Sequence, residues 1–369
     1  MLGLIVNPVA GLGGRVGLKG SDGREVQARA QELGATPGAA GRAAEALRRL
    51  ASLRGPQQIL TYPGEMGEDS ARAAGLTPIV VGSILPGHTT ADDTLAAAQE
   101  LRRQGARLIL FAGGDGTARD VYRAIGESIP ALGIPAGVKI FSAAFAIHPA
   151  AAGELAHEFL RGESRPVREA EVLDLDEDAY RAGRVSPRLY GYLRIPYRRR
   201  LIQGSKSPSP LDERGTLEAI AQDVIDPMRE GVAYIVGPGS STRPILTRLG
   251  LEKTLVGIDV ILDRRLLVAD ANEAALLEVL SKHPARVVVT PIGGQGYLFG
   301  RGNQPISPAV LQAVGREGIL VISTPEKIHA LRGRPLLVDS GDPEVDRWLT
   351  GYMKVITGYH ERIVYRVST

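Results

Sequence analysis

Arg107-Leu-Ile-Leu-Phe-Ala-Gly-Gly-Asp-Gly-Thr-Ala-Arg-Asp120 is the stretch that decides the fold. Leu108 to Phe111 form a continuous apolar run, the pattern of a central parallel strand covered on both faces. Gly113, Gly114 and Gly116 then let the backbone turn sharply and approach a ligand with no Cβ in the way. The residues from about Thr117 to Gly126 read as the helix that follows. Its N-terminus offers free N–H groups and a positive dipole end, which suits phosphate. A carboxylate, Asp115, at the mouth of such a cradle is poorly suited to plain anion binding. It suits a group that activates a hydroxyl or helps to hold a metal ion, and this points to phosphoryl transfer. A plain turn with Asp115 as helix N-cap is the competing explanation. The order strand, glycine turn, helix favours the ligand, because open α/β sheets bind at the carboxyl ends of their strands.

Outward from this stretch, strand and helix alternate. Leu2–Val6, Gln58–Tyr62, Pro78–Val81 and Ala131–Ile134 read as strands. Val26–Leu33, Ala39–Leu53, Glu65–Ala74 and Thr90–Gln104 read as helices, the last with Thr89 or Thr90 as N-cap and Asp92 and Asp93 in its first turn. This βαβα order predicts a doubly wound, mainly parallel sheet in a first domain of residues 1–164. From about Arg165 the texture changes. Val167–Leu175 and Leu189–Tyr197 alternate as exposed antiparallel strands do, and Ser205 to Pro210 is loop. A second, β-rich α+β domain is expected over 165–334. Its signals lie at Arg214–Glu230, Ala233–Val236, Ser241–Leu249, Leu255–Leu262, Asn272–Leu280, Ala285–Thr290 and Gly318–Ser323. The segment 335–369, with signals at Pro335–Asp339, Val345–Ile356 and Arg362–Val367, is expected to return to the first domain.

The 369 residues suffice for two cores. A hydrophobic share of 44% and a mean hydropathy of -0.02 are those of a globular protein in water. Residues 2–6 are too short to span a bilayer and no leader pattern is visible, so a cytoplasmic location is expected. Cysteine is absent, which removes disulfides, thiolate metal sites and cysteine nucleophiles. The net charge of +3 comes from 37 arginines and seven lysines scattered among acidic residues, so no nucleic-acid footprint is indicated. Arg198-Arg199-Arg200 reads equally as a solvated strand end or an anion clamp. The six histidines show no metal-ligand spacing. There is no GxSxG elbow and no Walker A sequence.

Further glycine turns follow other strands. Asn7-Pro8 leads into Gly11, Gly13 and Gly14, with Lys19 able to neutralise phosphate and Ser21-Asp22 beside it. Gly133 to Ser142 follows the next strand, where Lys139 offers a point charge and Ser142 a hydroxyl. Gly237, Gly239, Ser240, Ser241 and Thr242 follow Ala233–Val236 and form a further candidate nest. Pro291–Asn303, with Gly293, Gly294 and Gln295, is either a loop folded over a ligand or a mobile surface loop. Asp120, one turn beyond Asp115, is a candidate to assist with Mg²⁺ or a solvated helix carboxylate.

Asn7-Pro8 with its glycines, Gly113–Thr117 and the Pro-Ala-Gly turn at 135–137 resemble the ATP-NAD kinase family. The resemblance is closest to its branch of ATP- or polyphosphate-dependent NAD kinases grouped with the acetoin-catabolism protein AcoX. It extends through Val236–Pro244 and Thr290–Asn303, and diacylglycerol and sphingosine kinases share the GGDGT turn. The resemblance implies a nucleotide kinase with the site between an α/β and a β-rich domain. It implies that Asp115 acts on the 2′-hydroxyl of the adenosine ribose of NAD. Gly113, Gly114, Gly116 and Thr117 would contact phosphates, and Mg²⁺ would bridge the phosphates of ATP. Two family features depart. There is no Asn-Glu pair at the expected place, Asn272-Glu273 lying far downstream at a helix start. Gly237–Thr242 matches the family's second turn in chemistry but not in letters.

A kinase acting on NAD or a related small molecule is therefore expected. A nucleotide-binding regulatory protein without catalysis is the alternative. A lipid kinase is disfavoured, since no apolar membrane-docking segment is evident. By analogy of fold, a homo-oligomer is expected.

Overall fold

The computed structural model describes residues 1–14, 16–18, 24–53, 58–137, 140–162, 167–175, 187–198, 201–202, 214–254 and 256–369. Two compact units result. The first comprises Met1–Leu12, Gly20–Glu32 and Thr36–Ser205, the second Gly13–Lys19, Leu33–Ala35 and Lys206–Thr369.

In the first unit, strands β1 (Leu2–Val6), β2 (Ile59–Thr61), β3 (Ile79–Val80), β4 (Leu108–Gly113) and β5 (Ala131–Pro135) form one sheet in the order β3-β2-β1-β4-β5. Every pairing is parallel. All residues of β1 and β4 are buried, as their unbroken apolar runs require of strands covered by helices on both faces. The helices of this unit are α1 (Arg24–Glu32), α2 (Ala39–Ser52), α3 (Glu68–Ala73), α4 (Ala91–Arg103), α5 (Asp115–Ile125) and α6 (Pro149–Leu160). α2 packs with α3 and α6, and α4 packs with α5. Gly153 allows the close approach of α6 to α2, because a Cβ there would collide with the Ala46 carbonyl. α4 starts on Thr90, whose N–H donates to Asp93 at 2.7 Å.

The chain runs from β1 outward to β3, then back past β1 to β4 and β5. The direction of winding therefore reverses between β1 and β4. A crevice opens at such a reversal, beyond the carboxyl ends of the strands. Asn7 and Gly114 follow those two ends directly.

β6 (Val167–Leu175) and β7 (Pro187–Pro196) form an antiparallel pair that also belongs to the first unit, so the expected boundary at 165 moves to about 205. Their alternation puts Ala170, Val172, Leu193 and Ile195 on one face, and that face is buried in the first core.

Among its described residues the second unit holds nine strands: β8 (Ala233–Val236), β9 (Asp259–Leu262), β10 (Arg265–Val268), β11 (Ala285–Val289), β12 (Tyr297–Phe299), β13 (Ile319–Ile322), β14 (Leu336–Val338), β15 (Gly351–Gly358) and β16 (Glu361–Ser368). Their order is β10-β9-β8-β11-β13-β15-β16-β14-β12. β8, β11, β13 and β15 run parallel, while β15 and β16 form an antiparallel hairpin. The segment 335–369, expected to return to the first domain, instead supplies β14, β15 and β16 to this sheet. β15 satisfies the open edge of β13 and buries Met353 and Val355. The expected continuous element Val345–Ile356 is a helix, Pro343–Leu349, followed by β15, with the break at Thr350 and Gly351 (φ +114°). The fold class is the expected one, a doubly wound α/β unit with a β-rich partner.

Candidate active site

At the carboxyl end of β4, three glycine turns of the first unit touch backbone to backbone. The Gly113 carbonyl accepts hydrogen bonds from the N–H groups of Ala136 (2.9 Å) and Gly137 (3.1 Å). A Cβ on Gly137 would lie 2.7 Å from the Gly114 Cα, and one on Gly113 would collide with the Thr117 side chain. Gly11, at φ +76°, faces the Ala136 carbonyl so closely that a Cβ would overlap it. Glycine is thus demanded by contact between turns, more than by turn geometry alone. Asn7 completes the junction. Its Nδ2 donates to Thr117 Oγ1 (3.0 Å), and its Oδ1 accepts from the N–H of Val9 (3.2 Å). The two motifs are 110 residues apart in the chain and adjacent in space.

Asp115 is the first residue of α5, with Gly114 as N-cap, so it does not cap its own helix. Its carboxyl faces the segment after β5 instead. Oδ2 accepts from the N–H of Phe141 (2.6 Å), and Oδ1 accepts from the N–H (3.0 Å) and the hydroxyl (2.6 Å) of Ser142. At 7% exposure the side chain is covered rather than open at the mouth of the turn, which corrects the expectation from the sequence. The cover arises because the chain doubles back along β5. Gly133 donates to the Ala144 carbonyl (2.8 Å) and accepts from Ala146 (3.0 Å). Phe145 fills the space left by the missing Gly133 side chain and meets Phe111 edge-on, with ring centroids 5.3 Å apart. Burial pushes the Asp115 carboxyl up to about 7, against the hydrogen bonds from Ser142 and Phe141 that favour the ionised form. The nearby Asp174 carboxylate adds to the rise.

In the second unit, Gly237–Thr242 follows β8 as expected. Thr242 Oγ1 lies within hydrogen-bonding distance of two carbonyls of the turn, those of Gly237 (2.8 Å) and Gly239 (3.0 Å). Ser240 is exposed, and Ser241 is buried and accepts from Lys327 Nζ at 2.7 Å. Lys327, 86 residues away, went unnoticed in the sequence because nothing local ties it to the turn.

Two family models match the chain: the ATP-NAD kinase N-terminal domain over residues 2–164 and the ATP-NAD kinase C-terminal domain over residues 229–367. The chain belongs to the ATP-NAD kinase family. No curated protein and no solved structure matches it. As a member of that family it is a phosphotransferase with an alcohol acceptor, of the NAD kinase type, and binds a nucleotide substrate.

The remaining candidate residues of this kinase lie in several places. Lys19, Ser21, Asp22 and Lys139 lie outside the described residues. Gly13 and Gly14 are buried, and their carbonyls accept from Leu18 (2.9 Å) and Gly17 (3.3 Å) inside a local turn. Pro291–Asn303 is neither a free loop nor one whose polar groups all point outward. It contains β12, and Asn303 Nδ2 donates to the Leu298 carbonyl (2.7 Å) while Arg301 pairs with Asp339 (3.1 Å). Gln295 is buried, and the Gly294 carbonyl accepts from Arg334 (2.7 Å). Asn272 caps the helix Glu273–Lys282 by accepting from Ala275 at 2.9 Å. Arg198 pairs with Glu154 (2.7 Å) and Glu158 (2.9 Å), and Arg199 and Arg200 lie outside the described residues.

The donors near the turn do not form a metal cage. Asp120 is buried and paired with Arg119 (3.2 Å), Arg119 also holds Asp174 (2.6 Å), and Asp115 already accepts three hydrogen bonds. Among the described residues no group of three or more acidic or histidine side chains is placed to hold a metal ion. Nor is any described helix long and apolar enough to cross a membrane.

Proposed function

We propose that this kinase moves the terminal phosphoryl group of ATP to the 2′-hydroxyl of the adenosine ribose of NAD, with Asp115 as general base. The observation that carries the reading is the Asp115 carboxyl at the reversal point of the sheet, with a proton affinity near neutrality. An ordinary carboxylate is a feeble base toward an alcohol. One raised to about 7 is ionised in about half of the molecules at neutral pH and binds the proton strongly enough to help remove it. The acceptor oxygen forms its bond to phosphorus as the bond from phosphorus to the donor's bridging oxygen breaks. The electron pair leaves with the donor, and the hydroxyl proton passes to Asp115.

Gly113, Gly114, Gly116 and Thr117 supply the phosphate-facing backbone in this reading, with Asn7 fixing Thr117. Gly237–Thr242 serves as the phosphate or nucleotide contact of the second unit. Mg²⁺ carried on the donor phosphates, the usual arrangement for an ion that keeps much of its hydration, would neutralise their charge. Asp115 must be uncovered from Phe141 and Ser142, at least on one oxygen, for the acceptor to reach it.

The test compares wild type with Asp115→Asn, using Mg-ATP or Mg-polyphosphate and NAD, with NADP detected by mass spectrometry. The kcat should drop by about 10²–10⁴ while NAD affinity, read by calorimetry, changes little. Near-normal turnover by the variant removes Asp115 from the chemistry. Nucleotide binding without any phosphorylated product in wild type replaces catalysis with sensing, and turnover with polyphosphate alone reassigns the donor.

A further inference from the structure

Ser142 occupies a position that phosphate binding does not explain. It is fully buried, and the partners of its hydroxyl include Asp115 Oδ1 (2.6 Å), the Leu173 carbonyl (2.8 Å) and the Leu173 N–H (3.0 Å). A hydroxyl has one proton and two lone pairs. The Leu173 N–H takes one lone pair, so the single proton faces two acceptors. When Asp115 is ionised, the proton goes to its Oδ1. When Asp115 is protonated on Oδ2, Oδ1 remains an acceptor and keeps the serine proton; when it is protonated on Oδ1, its O–H donates to the second lone pair and the serine proton turns to the Leu173 carbonyl. Every state stays hydrogen-bonded, and at most a hydroxyl rotation separates them.

We propose that Ser142 is the positioning residue of Asp115, holding the carboxyl in one place before and after it takes the proton of the acceptor hydroxyl. The proposal rests on the reading of Asp115 as the base. Without such a partner, a buried carboxyl that changes charge must leave a polar group unsatisfied in one of its two states, which is destabilising at low dielectric. The framework around Ser142 suits a fixed role. The N–H of Ala143 donates to the Glu171 carbonyl (2.9 Å) on β6, and Phe145 locks the segment onto Gly133. Among the described residues, the charge that acts on Asp115 is that of Asp174 on β6. Asp174 is itself bound by Arg119 of α5, which also holds Asp120.

The experiment follows the Asp115 side-chain carbon by NMR titration in protein labelled at aspartate, the signal being assigned by its loss in Asp115→Asn. Wild type, Ser142→Ala and Ser142→Thr are compared, with kcat and KM measured over the same pH range. Removing the hydroxyl takes away a donor that favours the ionised form. The midpoint should therefore rise by about one unit, a tenfold change in ionisation. The acid limb of kcat should move with it, the rate should recover at higher pH, and KM for the nucleotide should change little. Ser142→Thr should restore the midpoint. Should Ser142→Ala fold poorly, Ser142→Cys keeps a weak donor and should give an intermediate midpoint. An unmoved midpoint, or a kcat loss equal at every pH, overturns the proposal. Failure of the base reading is separate: it shows as turnover by Asp115→Asn, whatever the titration reports.

Discussion

Replacing Asp115 by Asn should make the stability of the first unit less sensitive to pH, by an amount the structure sets. The carboxyl lies at about 7 in the fold against 3.8 for an unhindered aspartate. Each unit of that difference corresponds to about 1.4 kcal/mol, so ionising the buried group opposes folding by roughly 4 kcal/mol. Below pH 3.8 the group is protonated in both states and opposes nothing. As pH rises from 3.8 to 7 the unfolded chain releases its proton while the folded one retains it, and stability is lost. Above 7 both are ionised and the loss stays constant. An amide cannot ionise and lacks this dependence. Its –NH₂ must face the N–H of Phe141 or Ser142, a mismatch of donors that adds a penalty, but one equal at every pH. Relative to wild type, the variant should gain about 3–4 kcal/mol between pH 4 and pH 8. Amide exchange of β4 in graded urea reports the first unit by itself, because those residues lie at the centre of its core. A difference between the two proteins that stays flat across this range refutes the argument that burial raises Asp115. The same burial that makes Asp115 a base then destabilises the fold, a trade common at active sites.

Two further outcomes test the framework. Gly11→Ala places a Cβ against the Ala136 carbonyl at φ +76°, so the turns must separate. Thermal denaturation should show a loss of at least about 1–2 kcal/mol, with activity falling further than stability; unaltered activity would mean that the contact between turns is not needed. In the second unit, the side chains of Lys253 and Asp259 are fully buried and paired at 2.8 Å, with Thr254 and the Asp270 N–H also on the carboxylate. Although burial opposes its charge, Lys253 and these hydrogen bonds hold Asp259 below the usual carboxylate range. Lys253→Met should destabilise by about 3–5 kcal/mol near neutral pH, and less in acid where Asp259 can be protonated. Urea unfolding followed at Trp348, the single tryptophan, would expose a smaller or pH-independent loss.

Much was legible along the chain because it depends on near neighbours. The unbroken run Leu108–Phe111, the alternation in Val167–Leu175 and the glycines after each strand act over a few residues, and the structure has strands and turns in those places. The sequence by itself also determined the chemistry-bearing turn, since Gly113–Thr117 marks a strand-to-helix corner by composition alone.

Only the tertiary structure decided which parts meet. That β15 pairs with β13, keeping the last 35 residues in the second unit, follows from an edge left open by strands distant in sequence. That Asn7 holds Thr117, and that Ser142 bonds to Asp115 instead of pointing into a cleft, follows from how β1, β4 and β5 end side by side. The proton affinity of Asp115 belongs to the same class. Desolvation is a property of everything packed around a group, and no local pattern of letters encodes it.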